Sequence, residues 1–138
     1  MRSLANVIRM QKWKLDEQRR VVGDLEEMHS NYLGQLDALE EEFEREKALA
    51  ATDTDAGILF ADYAKAARLR KENLNSTIAE LQEKLDEAQA VLAELFQELK
   101  KFEISEETRI RKLKEAEAKR QQDEIDAFSI EMFRRKNK

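Results

Sequence analysis

Between Leu74 and Phe102 the apolar residues keep one unbroken heptad register: Leu74, Ile78, Leu81, Leu85, Ala88, Leu92, Leu95, Leu99 and Phe102, spaced alternately four and three apart. The positions between them are mostly Glu, Lys, Gln, Asp, Asn or Ala, residues that favour a helix or tolerate it on a solvated face. This is the pattern of a coiled-coil seam, and a seam of this length leaves leucines in water unless a second helix covers it.

The N-terminal part carries a matching series, from Leu4, Ile8, Gln11, Leu15, Gln18, Val22 and Leu25 through His29, Tyr32, Leu36, Leu39 and Phe43 to Glu46 and Ala50. Gln11, Gln18, His29 and Glu46 interrupt it with polar side chains, which at core positions usually cost stability and fix register. Between the two series, Ala51-Thr-Asp-Thr-Asp-Ala-Gly57 is the one cluster of helix-poor residues. Thr52, Thr54 or Asp55 can cap the following helix there, and Gly57 offers backbone freedom. Gly23 and Gly34 lie inside the first series with the register running straight through them. The pattern predicts an all-α fold, a long antiparallel two-helix coiled-coil hairpin forming one elongated domain over residues 1–138. Helix 1 covers about 3–51, the turn about 52–57 and helix 2 about 58–135. A reversal near residue 54 sets Leu4 opposite the region of Ile104 and Phe43 opposite Lys65 and its neighbours. A seven-residue period implies a left-handed supercoil.

Past Phe102 the seam positions turn polar at Glu106 and Arg109. A new apolar face then appears at Ile125, Phe128, Met132 and Phe133, followed by Arg134, Arg135, Lys136 and Lys138. Helix 1 is too short to reach this far, so the C-terminal part of helix 2 overhangs by roughly 30 residues, or about 45 Å.

Composition supports a shared stripe rather than a globular interior. The chain has no Pro, no Cys, three Gly and 40% Asp, Glu, Lys and Arg. Without Cys there is no disulfide framework, thiolate metal site or cysteine catalysis, which suits a reducing cytoplasm. No stretch approaches the roughly 20 apolar residues needed to span a bilayer, and the N-terminus does not read as a secretory signal. His29 is the only histidine and reads as a register or edge residue rather than a metal ligand. No phosphate cradle, nucleophile elbow or His-based dyad is present, so the expectation is a protein that is not an enzyme and takes no cofactor or metal.

Charge is unevenly spread. Residues 1–20 carry a net +4, residues 21–55 a net −9 and residues 108–138 a net +4, within an overall −5. A hairpin would bring the two basic termini to one end and leave an acidic shaft, a distribution that fits nucleic acid poorly. A complementary protein surface is the expected partner of the basic end, with an anionic membrane surface as a second reading. Met10 and Trp13, three residues apart, face away from the first seam and mark a candidate contact of their own.

Ser3-Leu-Ala-Asn-Val-Ile-Arg-Met-Gln-Lys-Trp-Lys-Leu-Asp-Glu-Gln-Arg-Arg20 at the start, and Asp123-Glu-Ile-Asp-Ala-Phe128 before a basic end, resemble the flagellar FliJ family, soluble components of the flagellar type III export apparatus. The resemblance spans the whole chain, but only its two ends are specific; between them any coiled coil would match. It implies a coiled-coil stalk whose joined termini enter the ring of the hexameric export ATPase and promote its assembly. Its shaft would contact the export gate protein and the substrate chaperones, in the cytoplasm at the inner-membrane base of the flagellum. The expected ring-facing contact is Met10, Trp13, Ile125, Phe128, Met132, Phe133, Arg134 and Arg135 on a chain that is monomeric when free. A generic scaffold that homodimerises through its seams, or a membrane-surface tether, is the alternative.

Overall fold

A computed structural model describes residues 2–137 and resolves them into two helices, α1 (Arg2–Thr52) and α2 (Thr54–Lys136). The chain is all-α, with the two helices packed against each other as a hairpin and no strand among the described residues. Contacts divide it into two compact units: Lys14–Glu94, and the stretches up to Trp13 and from Leu95 onward.

In the Lys14–Glu94 unit the heptad register becomes the core. Leu15, Val22 and Leu39 of α1 and Ala64, Ala67, Leu74, Leu81, Leu85 and Ala88 of α2 are buried. Val22 packs with Leu85 and Ala88, joined by Leu25 and Leu92. Nearer the turn, Leu39 packs with Ala67 and Leu74, joined by Tyr32, Leu36, Phe43 and Tyr63. Alanines on α2 face bulky residues on α1 here, so small and large side chains interlock across a narrow seam. The polar interruptions behave differently from one another. Gln18 donates from Nε2 to the backbone carbonyl of Ala88 at 2.9 Å, a cross-helix bond that a slipped register would break. Glu46 and Lys71 turn outward into solvent, and Lys71 reaches Glu40 across the helices at 3.4 Å. Among the described residues no polar or charged side chain is fully buried.

The reversal is tighter than residues 52–57. Asp53 alone separates the two helices, and it is the N-cap of α2: its carboxylate accepts from the backbone N–H of Asp55 at 3.1 Å. Its carbonyl accepts from the N–H of Gly57 at 3.0 Å. Thr52 instead turns its hydroxyl back to the carbonyl of Leu49 at 2.8 Å, closing α1 rather than opening α2. Gly57 is helical with no positive φ. A Cβ there would sit 3.4 Å from the carbonyl oxygen of Ala50, at ordinary contact distance. The pairing follows the expected register: Phe43 meets Tyr63 (ring centroids 6.4 Å apart) and packs in the cluster that holds Ala67, the residues on either side of Lys65, and it also reaches Phe60 (5.6 Å) toward the turn.

Tyr63 brings a polar atom into this aromatic group. Its hydroxyl is buried without a hydrogen-bond partner, and burial, reinforced by the charge of Glu42, pushes its pKa up. Replacing Leu85 by Ala should cost about 2–5 kcal/mol in chemical denaturation, because it empties a buried seam position. Tyr63→Phe should leave the melting temperature unchanged or higher, since it removes an unsatisfied polar atom and keeps the ring. A large loss on Tyr63→Phe would show that the hydroxyl is bonded.

Candidate functional site

The candidate contact residues all lie in the unit formed by the two chain ends, and they divide into two groups. On α1, Leu4, Ile8 and Gln11 turn inward and are half-buried. Met10 and Trp13 point away from that stripe, with Trp13 63% exposed. A buried location for the indole is thereby ruled out. On α2, Leu99 is buried, and Leu95, Phe102, Glu106 and Arg109 are half-buried. From Ile110 to Asn137 every residue is exposed.

The seam in this unit ends on an ion pair. Arg109 donates to Glu106 through Nε at 3.2 Å and through an Nη at 2.6 Å, a bidentate contact one helical turn long. The Arg109 guanidinium holds the Glu106 carboxyl below its ordinary range. Two charged side chains thus occupy the next seam positions, where apolar residues would invite further pairing.

Beyond it, α2 continues as a lone helix supported by its own charges. Arg120 binds Glu117, one turn before it, and Glu124, one turn after it, both at 2.5 Å. Arg111 pairs with Glu115 at 3.8 Å, and Gln122 donates to Asp126 at 2.9 Å. Such pairs at three and four residues are the device by which a helix without tertiary cover is held.

Ile125, Phe128 and Met132 fall within about 60° of one another on this helix, and Phe133 lies about 80° round from Ile125, giving one broad apolar arc. All four are exposed, Phe128 by 67% and Phe133 by 68%. Arg134 and Arg135 follow, both drawn toward Glu131, at 3.9 and 3.5 Å. Part of their charge is therefore answered locally.

The structure does not bring Met10 and Trp13 together with this arc. Ile125 lies sixteen residues beyond Arg109, the last covered seam position. At the helical rise that is about 24 Å past the end of the paired region that holds Met10 and Trp13. The arrangement is two separate surfaces rather than one.

Among the exposed apolar residues that periodicity does not single out, three cluster at the reversal. Leu49 (59% exposed), Ile58 and Leu59 (both 71%) flank the turn, and only Phe60 of the run Ile58-Leu59-Phe60 is drawn into the seam. The signal was present, because three consecutive apolar residues exceed what one seam position can bury. Among the described residues no group of three or more acidic or histidine side chains converges on a metal position. Among the described residues no helix is long and apolar enough to cross a membrane. No protein-family model, curated protein or solved structure matches the chain.

The Glu117–Arg120 hydrogen bond lowers the carboxyl pKa of Glu117 in the folded helix. A carboxylate with a lowered folded value adds stability that is full above its ordinary pKa of 4.5 and is lost as pH falls through the lowered value. Far-UV circular dichroism should therefore lose helical signal as pH falls below about 4.5, and Glu117→Gln should reduce that loss. Equal acid sensitivity in the variant would remove the ion pairs from the account.

Proposed function

We propose that this chain is a non-enzymatic stalk and adaptor of the flagellar type III protein export apparatus. Its ends bind the export ATPase ring and promote ring assembly. Its paired region links the ring to the export gate protein and to substrate chaperones, at the cytoplasmic side of the inner membrane. Support comes from the resemblance of its two ends to the flagellar FliJ family and from the helical hairpin fold.

The observation that carries the reading is the terminal stretch of α2. A helix exposed from Ile110 to Asn137, with four large apolar side chains on one arc before a basic end, has the form of an element prepared for a partner. The seam-mediated homodimer is the weaker alternative, because the seam leucines of the Lys14–Glu94 unit are already covered within a single chain. That leaves such a dimer little apolar surface to bury.

Because the contact residues form two surfaces, they should be separable. Arg134→Glu with Arg135→Glu should weaken binding to the purified export ATPase of the same organism about ten-fold or more at low salt, and less at high salt. Trp13→Ala should weaken it independently, with effects that add, since sites this far apart share no contact. Helicity and melting should be unchanged in both. Wild-type affinity in both variants would reject the assigned surfaces, and failure of the unmutated chain to bind or stimulate the ATPase would reject the stalk reading itself.

A further inference from the structure

The apolar residues beside the turn form a second exposed surface, of opposite charge to the C-terminal arc. Leu49, Ala56, Leu59 and Phe60, with Glu46 and Asp53, line a shallow groove of about 450 Å³ at the reversal of the chain. Ile58, the sequence neighbour of Leu59, is also exposed. Residues 41–62 around this groove carry seven acidic side chains and two basic ones, Arg45 and Lys47. An apolar groove in that setting repels anionic lipid and nucleic acid and favours a helix that is apolar on one face and basic at its end.

This chain contains such a helix. Residues 125–138 carry Ile125, Phe128, Met132 and Phe133 with four basic residues against Asp126 and Glu131. The carboxylate of Glu131 is already engaged by Arg134 and Arg135, which leaves the segment's net charge positive toward a partner. Both surfaces are exposed and built on helices, so neither needs to reorganise to meet the other.

We propose that the acidic, apolar groove at the turn of one copy receives the basic, apolar C-terminal helix of a second copy. The contact joins two different patches, so it is heterologous. Each chain added offers a free groove and a free tail, and assembly continues unless the rotation closes it. Three or four apolar side chains on each side make a small interface, with association expected at about 10 µM to 1 mM and none below. This rests on the stalk reading only in its consequence, because it gives the proposed ATPase-binding face a resting occupant that the ATPase displaces. The contact itself concerns the chain alone, so its failure leaves ATPase binding standing, and a failure of ATPase binding leaves the contact standing.

Sedimentation of the full chain tests it. At about 20 mM salt the average mass should rise from that of one 16.2 kDa chain at about 10 µM to several chains at about 1 mM, and should fall back at about 500 mM salt. Leu59→Glu spoils the groove and Phe128→Glu spoils the tail, so each variant alone should remain monomeric at about 1 mM. Mixed in equal amounts, the intact tail of the first meets the intact groove of the second, and assembly should stop at two chains. Ile58→Glu and Met132→Glu, also at exposed positions, repeat the experiment should either first variant lose helicity. A wild-type chain monomeric at about 1 mM in low salt overturns the proposal. So does assembly that survives either variant, or a mixture that stays monomeric or grows beyond two.

Discussion

A strip of leucines along one helix is stable in water only when a second helix covers it, and that requirement sets the form of this protein. With 40% of the residues charged, the buried apolar side chains among the described residues all lie on this strip and its partner. The stabilising area is one residue wide on each helix, at roughly 25 cal/mol for each Å² removed from water. Such a seam fixes which residues face each other but tolerates occasional polar ones at its edge, as His29 illustrates by remaining half-buried, whereas Gln11 leaves its Oε1 buried without a hydrogen-bond partner. Gln18 goes further, using its amide to bind the opposite backbone, so that a polar residue which weakens packing also specifies alignment.

Where the seam stops, the forces change in kind. Glu106 and Arg109 close it with a charged pair, and the helix beyond is held by short-range ion pairs with no packing partner. Pairs of this kind are each worth only a few tenths of a kcal/mol and act within a turn or so. They keep a helix formed without committing its surface to a neighbour. The apolar arc at Ile125–Phe133 is therefore available, and in the proposed stalk this availability is what allows the C-terminal helix to dock as a formed element.

The fold was legible because period alone decides it. A spacing of four and three over two long stretches, separated by Thr52–Gly57, admits little besides two helices and a reversal. The position of the reversal was less legible, since several residues there have capping side chains and the sequence does not rank them. The cap is none of Thr52, Thr54 or Asp55 but Asp53, whose carboxylate reaches the N–H of Asp55 while its carbonyl accepts from Gly57. The exposure of Trp13 followed from its place opposite the seam. Its separation from Ile125 did not, because grouping by charge joins the two ends of the chain, whereas the rise of a continuous helix holds their contact residues apart. Leu49, Ile58 and Leu59 fall outside the heptad register, so periodicity gives them no role.

Amide hydrogen exchange on the full chain, alone and with the purified flagellar export ATPase of the same organism, tests the central claim that the seam carries stability and the uncovered helix carries binding. Alone, amides between Leu15 and Leu39 and between Ala64 and Leu99 should exchange slowest, with those from Ile110 onward far faster. Adding the ATPase should protect Ile125–Lys136 and leave the seam unchanged. Protection of the C-terminal helix in the free chain at a concentration where it is monomeric, or none gained on adding the ATPase, would contradict the account.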